Sequence, residues 1–183
     1  MRSKTKRLTL SGALVALTVV MLWLGSLIEV LDLVTVFLAS LFIAFSVCEF
    51  GIAWSVLPYF ASAALALLLM PGRFISWEYA LLVGALPLLK ALFEKIPAKP
   101  LAFLGKFAAF NALFAGVLCI FHFFFGGLFV EATLFGVTFP AWSVPLILAF
   151  FGNLCFLLYD ILLTRMVVLY YARFHQRVER WLK

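Results

Sequence analysis

Long stretches of this chain carry no charge, and they follow one another almost without a break. Residues 8–28, 33–48 and 52–70 contain no Asp, Glu, Lys or Arg. One bilayer crossing takes about 20 mostly apolar residues. A chain of 183 residues has room for six crossings joined by short turns, and little is left for a soluble domain. Composition agrees: 67% of the residues are hydrophobic and 12% charged, against about 45–50% and about 25% in soluble domains. The expected fold is therefore an all-α membrane protein, a single bundle of six transmembrane helices.

Turn signals divide the chain into helices at about 8–28, 33–48, 52–70, 75–93, 101–125 and 141–171, with a basic tail at 172–183. Glu49-Phe50-Gly51 and Pro71-Gly72-Arg73 mark tight turns, Pro87 is expected to kink the fourth helix, and Gly126-Gly127 ends the fifth. Residues 1–7 are basic and precede an apolar run, as in a signal peptide. That run is longer than a signal core and lacks a small-x-small cleavage site, so it reads as a retained first helix.

The net charge of +6 is explained by placement. Arg2, Lys4, Lys6 and Arg7 precede the first helix. Lys90, Lys95, Lys99 and Lys106 flank the connection between the fourth and fifth. Arg165, Arg173, Arg177, Arg180 and Lys183 close the chain. With six alternating spans, thirteen of the fourteen basic residues fall on one side and only Arg73 on the other. By the positive-inside rule both termini are expected in the cytoplasm, and no nucleic-acid partner is implied.

No motif for catalysis, phosphate binding or metal binding is present. The expectation is a non-enzymatic protein without cofactor or metal. Cys48, Cys119 and Cys155 are too widely spaced for a metal or disulfide framework, and His122, alone among Phe121, Phe123, Phe124 and Phe125, has no second ligand at metal spacing.

Polar residues gather near the outer side. Glu29 and Asp32 lie between helices 1 and 2, and Arg73, Trp77 and Glu78 around the start of helix 4. His122 lies near the end of helix 5, with Glu131 in the loop after it. Converging over a central cavity, they would bind a small-molecule ligand, and their acidic excess favours a cationic or hydrogen-bond-donating part. Solvation of helix ends is the plainer account of each. The outer loop at 126–140 carries one charge, and it reads either as a lid over that cavity or as an interfacial segment. Asn111 and Asn153 lie within apolar spans, each expected to hydrogen-bond another helix, with Asn153 the better ligand candidate. Asp160, inside helix 6, has Lys90 and Arg165 within reach as partners; a structural ion pair and a functional acid both remain open.

In helix 1, Gly12 and Ala16 are four residues apart and share a face with only small side chains. Such a face lets another helix approach closely, either within this bundle or from a partner. Here the chain resembles the substrate-binding subunits, or S components, of energy-coupling factor (ECF) vitamin transporters. The resemblance covers the whole chain: six helices, both ends inside, a basic lead into Lys6-Arg7-Leu8, and Gly12-Ala13-Leu14-Val15-Ala16 as the small-xxx-small contact motif, with Gly12 where alanine is usual. It implies that Gly12, Ala13 and Ala16 dock on a transmembrane coupling subunit that carries two cytoplasmic ATPases. It also implies ligand binding under the loops after helices 1, 3 and 5, toppling of the loaded subunit to release its ligand inside, and a bacterial cytoplasmic membrane location. No ligand signature for riboflavin, thiamine or biotin is found, nor the N-terminal histidines of nickel and cobalt members. The alternatives are a non-catalytic scaffold similar to rod-shape proteins and, last, a lipid-modifying enzyme using Asp160, Glu49 and Glu94.

Overall fold

The computed structural model describes residues 2–28, 31–126, 132–134 and 137–173. Glu29 and Val30, residues 127–131 (Glu131 among them) and 135–136, and the tail beyond Arg173 lie outside the described residues.

Among the described residues, six helices are long and apolar enough to cross a membrane. They are α1 (Arg2–Ser26), α2 (Asp32–Phe50), α3 (Ile52–Leu69), a composite fourth span (Phe74–Phe93), a fifth (Lys99–Phe124) and a sixth (Ala141–Arg173). The fourth comprises α4 (Phe74–Glu78), a π-helical turn at Tyr79–Val83 and α5 (Leu86–Phe93). The fifth is mostly α6 (Lys99–Ile120), running into a π-helical turn at Phe121–Phe125, and the sixth is mostly α7 (Val144–Arg173).

The spans agree with those read from hydropathy, with two corrections. Helix 1 begins at Arg2, not residue 8, because its Lys and Arg residues are good helix formers and continue the helix past the apolar run. The connection before the sixth span, expected as a loop, contains an antiparallel ribbon of β1 (Ala132–Leu134) and β2 (Val137–Phe139), with Ala132 opposite Phe139 and Leu134 opposite Val137. Its β-branched Thr133, Val137 and Thr138 favour extended backbone.

Pro87 breaks the fourth span, as expected, but the break lies before it. Proline offers no N–H and its ring crowds the carbonyl four residues earlier, at Val83. The backbone responds with Gly84 N–H donating to Tyr79 O at 3.0 Å, five residues back, and Ala85 N–H to Leu82 O at 3.1 Å, three back. Gly84 is required there: a Cβ at that position would lie 2.8 Å from Tyr79 O and 2.9 Å from the Tyr79 ring.

The first four spans pack most closely, through small and hydroxyl-bearing residues. Ser40, Ser46, Ser55, Ser62, Ser76 and Thr18 are fully buried. Ser46 and Ser55 hydroxyls meet at 2.9 Å, Ser62 meets Tyr79 at 2.8 Å, and Ser40 bonds Tyr159. Small residues admit close backbone approach, and in hydrocarbon each hydroxyl must find a partner within the protein. The fifth and sixth spans bury much less of their surface, leaving Leu104, Phe150, Leu158 and Ile161 exposed. Such a surface is unstable in water and suits lipid.

Candidate functional site

The sixth span carries Asp160 in its interior, and the fold meets it with two lysines. Lys90 Nζ donates to Asp160 Oδ1 at 2.6 Å, to Asp160 O at 3.0 Å and to Thr164 Oγ1 at 2.7 Å. Lys106 Nζ reaches Asp160 Oδ2 at 2.9 Å and Oδ1 at 3.1 Å. Glu94, one turn beyond Lys90, lies 3.0 Å from Lys90 and 3.4 Å from Lys106. Two cations and two anions from spans four, five and six form one neutral cluster. The lysines are only 7% and 9% exposed, so their charge must be met locally. Of the expected partners, Lys90 is present; Arg165 is exposed and Lys106 takes its place. The sequence signal for Lys106 is a lone charge several residues inside an apolar span, which needs a partner there.

Immediately above the cluster, spans two, four, five and six separate around a partly open cavity of about 270 Å³. Leu86 and Phe156 line both the cavity and the small recess containing Lys90, Lys106 and Asp160, so they form the floor between the two. The walls are rich in phenylalanine: Phe37, Phe74, Phe110, Phe114, Phe121 and Phe156 all contribute. Phe110 and Phe114 stack at 5.5 Å, and Phe74 meets Phe121 edge to face at 4.9 Å. The cavity reaches the bundle end where α2 and α4 begin, at Leu33 and Phe74. Among the described residues, Glu78 is the only charged side chain in its wall.

The other residues singled out in the sequence do not converge there. Asp32, at the start of α2, is half-buried and close enough to Glu78 for their charges to interact. Arg73 is exposed at the entry to α4. Trp77 donates to Pro71 O at 3.3 Å and stacks on Phe124 at 5.8 Å, tying the fourth span to the end of the fifth. His122 is half-buried and lies outside the lining. Glu29 lies outside the described residues.

Asn153 is held elsewhere. Its Nδ2 donates to Asn111 Oδ1 at 3.0 Å and to Ala149 O at 2.8 Å. Asn111 Nδ2 returns a bond to Asn153 Oδ1 at 2.9 Å and also donates to Phe107 O at 2.9 Å. The pair clamps span five to span six, as the sequence reading expected of each residue, and Asn153 does not line the cavity. Asn153→Leu is expected to destabilise the protein by about 1 kcal/mol in detergent, since interhelical hydrogen bonds in membranes contribute about 0.6 to 1.7 kcal/mol. Asn111→Leu/Asn153→Leu should cost less than the sum of the two single changes, as read by a double-mutant cycle on thermal unfolding.

In α1, Ser11, Leu14, Thr18 and Leu22 face the bundle, whereas Gly12, Ala13 and Ala16 are exposed. A Cβ added at Gly12 would meet nothing within 4 Å. Close packing within the bundle instead uses Gly25, where a Cβ would overlap Thr35 Oγ1 at 1.9 Å.

The six apolar spans and the lipid-compatible exterior define a multi-pass membrane protein. Comparison with protein-family models, with characterised proteins and with solved structures finds no match.

Proposed function

We propose that the chain is the substrate-binding membrane subunit of an ATP-driven importer of the ECF type, carrying a vitamin or similar small micronutrient. Both termini are cytoplasmic, in a bacterial plasma membrane. A transmembrane coupling subunit docks on the Gly12–Ala13–Ala16 face, and two cytoplasmic ATPases supply the energy.

The observation that carries this reading is the cavity, a ligand-sized space among four spans that reaches the end opposite most of the basic residues. Sites for small molecules have this character: largely apolar walls and a few polar groups that fix orientation. The outward-facing small residues of α1 add support, because nothing in this bundle occupies them. The basic bias toward one end supports the orientation.

The test is co-expression with a tagged coupling subunit and its two ATPases, then purification in mild detergent. Stoichiometric recovery of this chain is expected. Gly12→Leu/Ala16→Leu should reduce recovery by roughly tenfold or more, equivalent to about 1.4 kcal/mol of lost affinity, while the unfolding temperature stays unchanged. Equal recovery of variant and parent would remove the docking role. Clean failure of the parent to co-purify, with the chain folded in the membrane, would favour the scaffold reading.

A further inference from the structure

Among the described residues, two acids lie away from the ends of their spans, Glu78 and Asp160, and the chain treats them differently; Asp32 and Glu49 sit at the two ends of α2. Asp160 is held by two lysine ammonium groups and is neutralised where it sits. Glu78 has no such company: among the described residues it makes no hydrogen bond or ion pair, and it lines a phenylalanine-walled cavity. It lies four residues into the fourth span, about 6 Å along the helix from Phe74. An ionisable group inside a span is expensive unless paired, and it marks a functional position by default.

We propose that this cavity selects a compact organic cation bearing a single positive charge and an apolar, ring-containing body, with the cationic nitrogen set against Glu78. The assignment rests on the reading of the cavity as a solute site and names the class of solute.

Charge fixes the first part. Glu78 is the only charged group in the described wall, and Asp32 adds negative potential nearby. No basic side chain among the described residues lines the space. Lys90 and Lys106 lie beneath Leu86 and Phe156, committed to Asp160 and Glu94. A phosphate or carboxylate on the ligand would enter an apolar cavity without a counter-charge, which disfavours nucleotides, phosphorylated compounds and amino-acid zwitterions.

The walls fix the second part. Aromatic faces attract both cations and flat apolar rings, and Phe74, Phe110, Phe114 and Phe121 lie around the space that Glu78 enters. Its volume of about 270 Å³ suits one small ring system.

The experiment uses the purified full-length chain in mild detergent and three probes of similar shape: 2-phenylethylamine, 2-phenylethanol and 3-phenylpropionate. Affinity is read by isothermal titration and thermal shift. The amine is expected to bind at least tenfold more tightly than the alcohol, with the carboxylate weakest. Glu78→Gln should bring the amine to the level of the alcohol, and Glu78→Asp should retain a preference for the amine. Both variants should unfold at the parental temperature without probe, since among the described residues Glu78 makes no hydrogen bond or ion pair. Equal binding of amine and alcohol, binding of none, or an amine preference that survives Glu78→Gln would overturn the assignment. No coupling subunit is present in this measurement, so its failure leaves the co-purification result standing. Failed co-purification, in turn, leaves the probe preference readable.

Discussion

Asp160→Ala is expected to be among the most damaging single substitutions in the chain, lowering stability by about 3–5 kcal/mol, the usual cost of removing one partner from a buried ion pair. The change leaves Lys90 and Lys106 facing each other's charge in the same recess, with Glu94 alone to balance both. Each lysine is less than a tenth exposed, so water does little to screen the unbalanced charge where it sits. The measurement is thermal or denaturant unfolding in detergent, with folded yield as a second readout. A companion variant separates charge balance from loss of contacts. Lys90→Met/Asp160→Leu removes one cation and one anion together and leaves Lys106 with Glu94. It should be considerably milder than Asp160→Ala, because exchanging a buried pair for apolar groups of similar volume is often close to neutral. Equal damage from the two variants would mean that packing, not charge balance, governs the site.

The second large effect is expected at Gly25. A side chain there would collide with Thr35, whose Oγ1 and Cβ would lie 1.9 and 2.8 Å from the new Cβ, with Ile75 Cδ1 at 3.0 Å. Rotating the Thr35 hydroxyl aside does not relieve the contact with its Cβ. It would also break the bonds that Oγ1 donates to Leu31 O and Asp32 O. Gly25→Val should therefore push α1 from α2 and cost about 1–3 kcal/mol, the range for overpacking a close contact. Gly12→Val, on the same helix, should leave the unfolding temperature nearly unchanged. If both variants unfold alike, the close approach of α1 to α2 at Gly25 is not a determinant of stability.

The spans were legible in the sequence because a bilayer imposes a length and a polarity on each one, and both can be read locally. The pairings between spans were not. Asp160 was recognisable as a costly residue, and Lys90 was one of its two candidate partners. Lys106 was not a candidate, because its place beside Asp160 depends on how the fifth and sixth spans meet. Glu78 was one of several outer polar residues with nothing to set it apart, and the cavity beside it is built from phenylalanines on separate helices that no local pattern links. Asn153 was read correctly as an interhelical hydrogen-bonding residue, and its reciprocal partner was its fellow candidate Asn111. Pro87 announced a disturbance in the fourth span, but the form of the backbone's response is decided by tertiary packing around Gly84 and Tyr79.

That disturbance also sets angular phase. Glu78, Leu82, Leu86 and Lys90 follow one another at steps of four residues; the first three face the cavity and the last faces the ion cluster below it. In an uninterrupted α-helix each such step overshoots a full turn by about 40°, so residue 90 would have drifted about 120° from residue 78. The wide turn at Tyr79–Val83 holds more residues per revolution and takes up part of that drift. The number of residues in this turn therefore helps decide which side chain hangs in the cavity while the lysine one span-half away stays aligned with its acid.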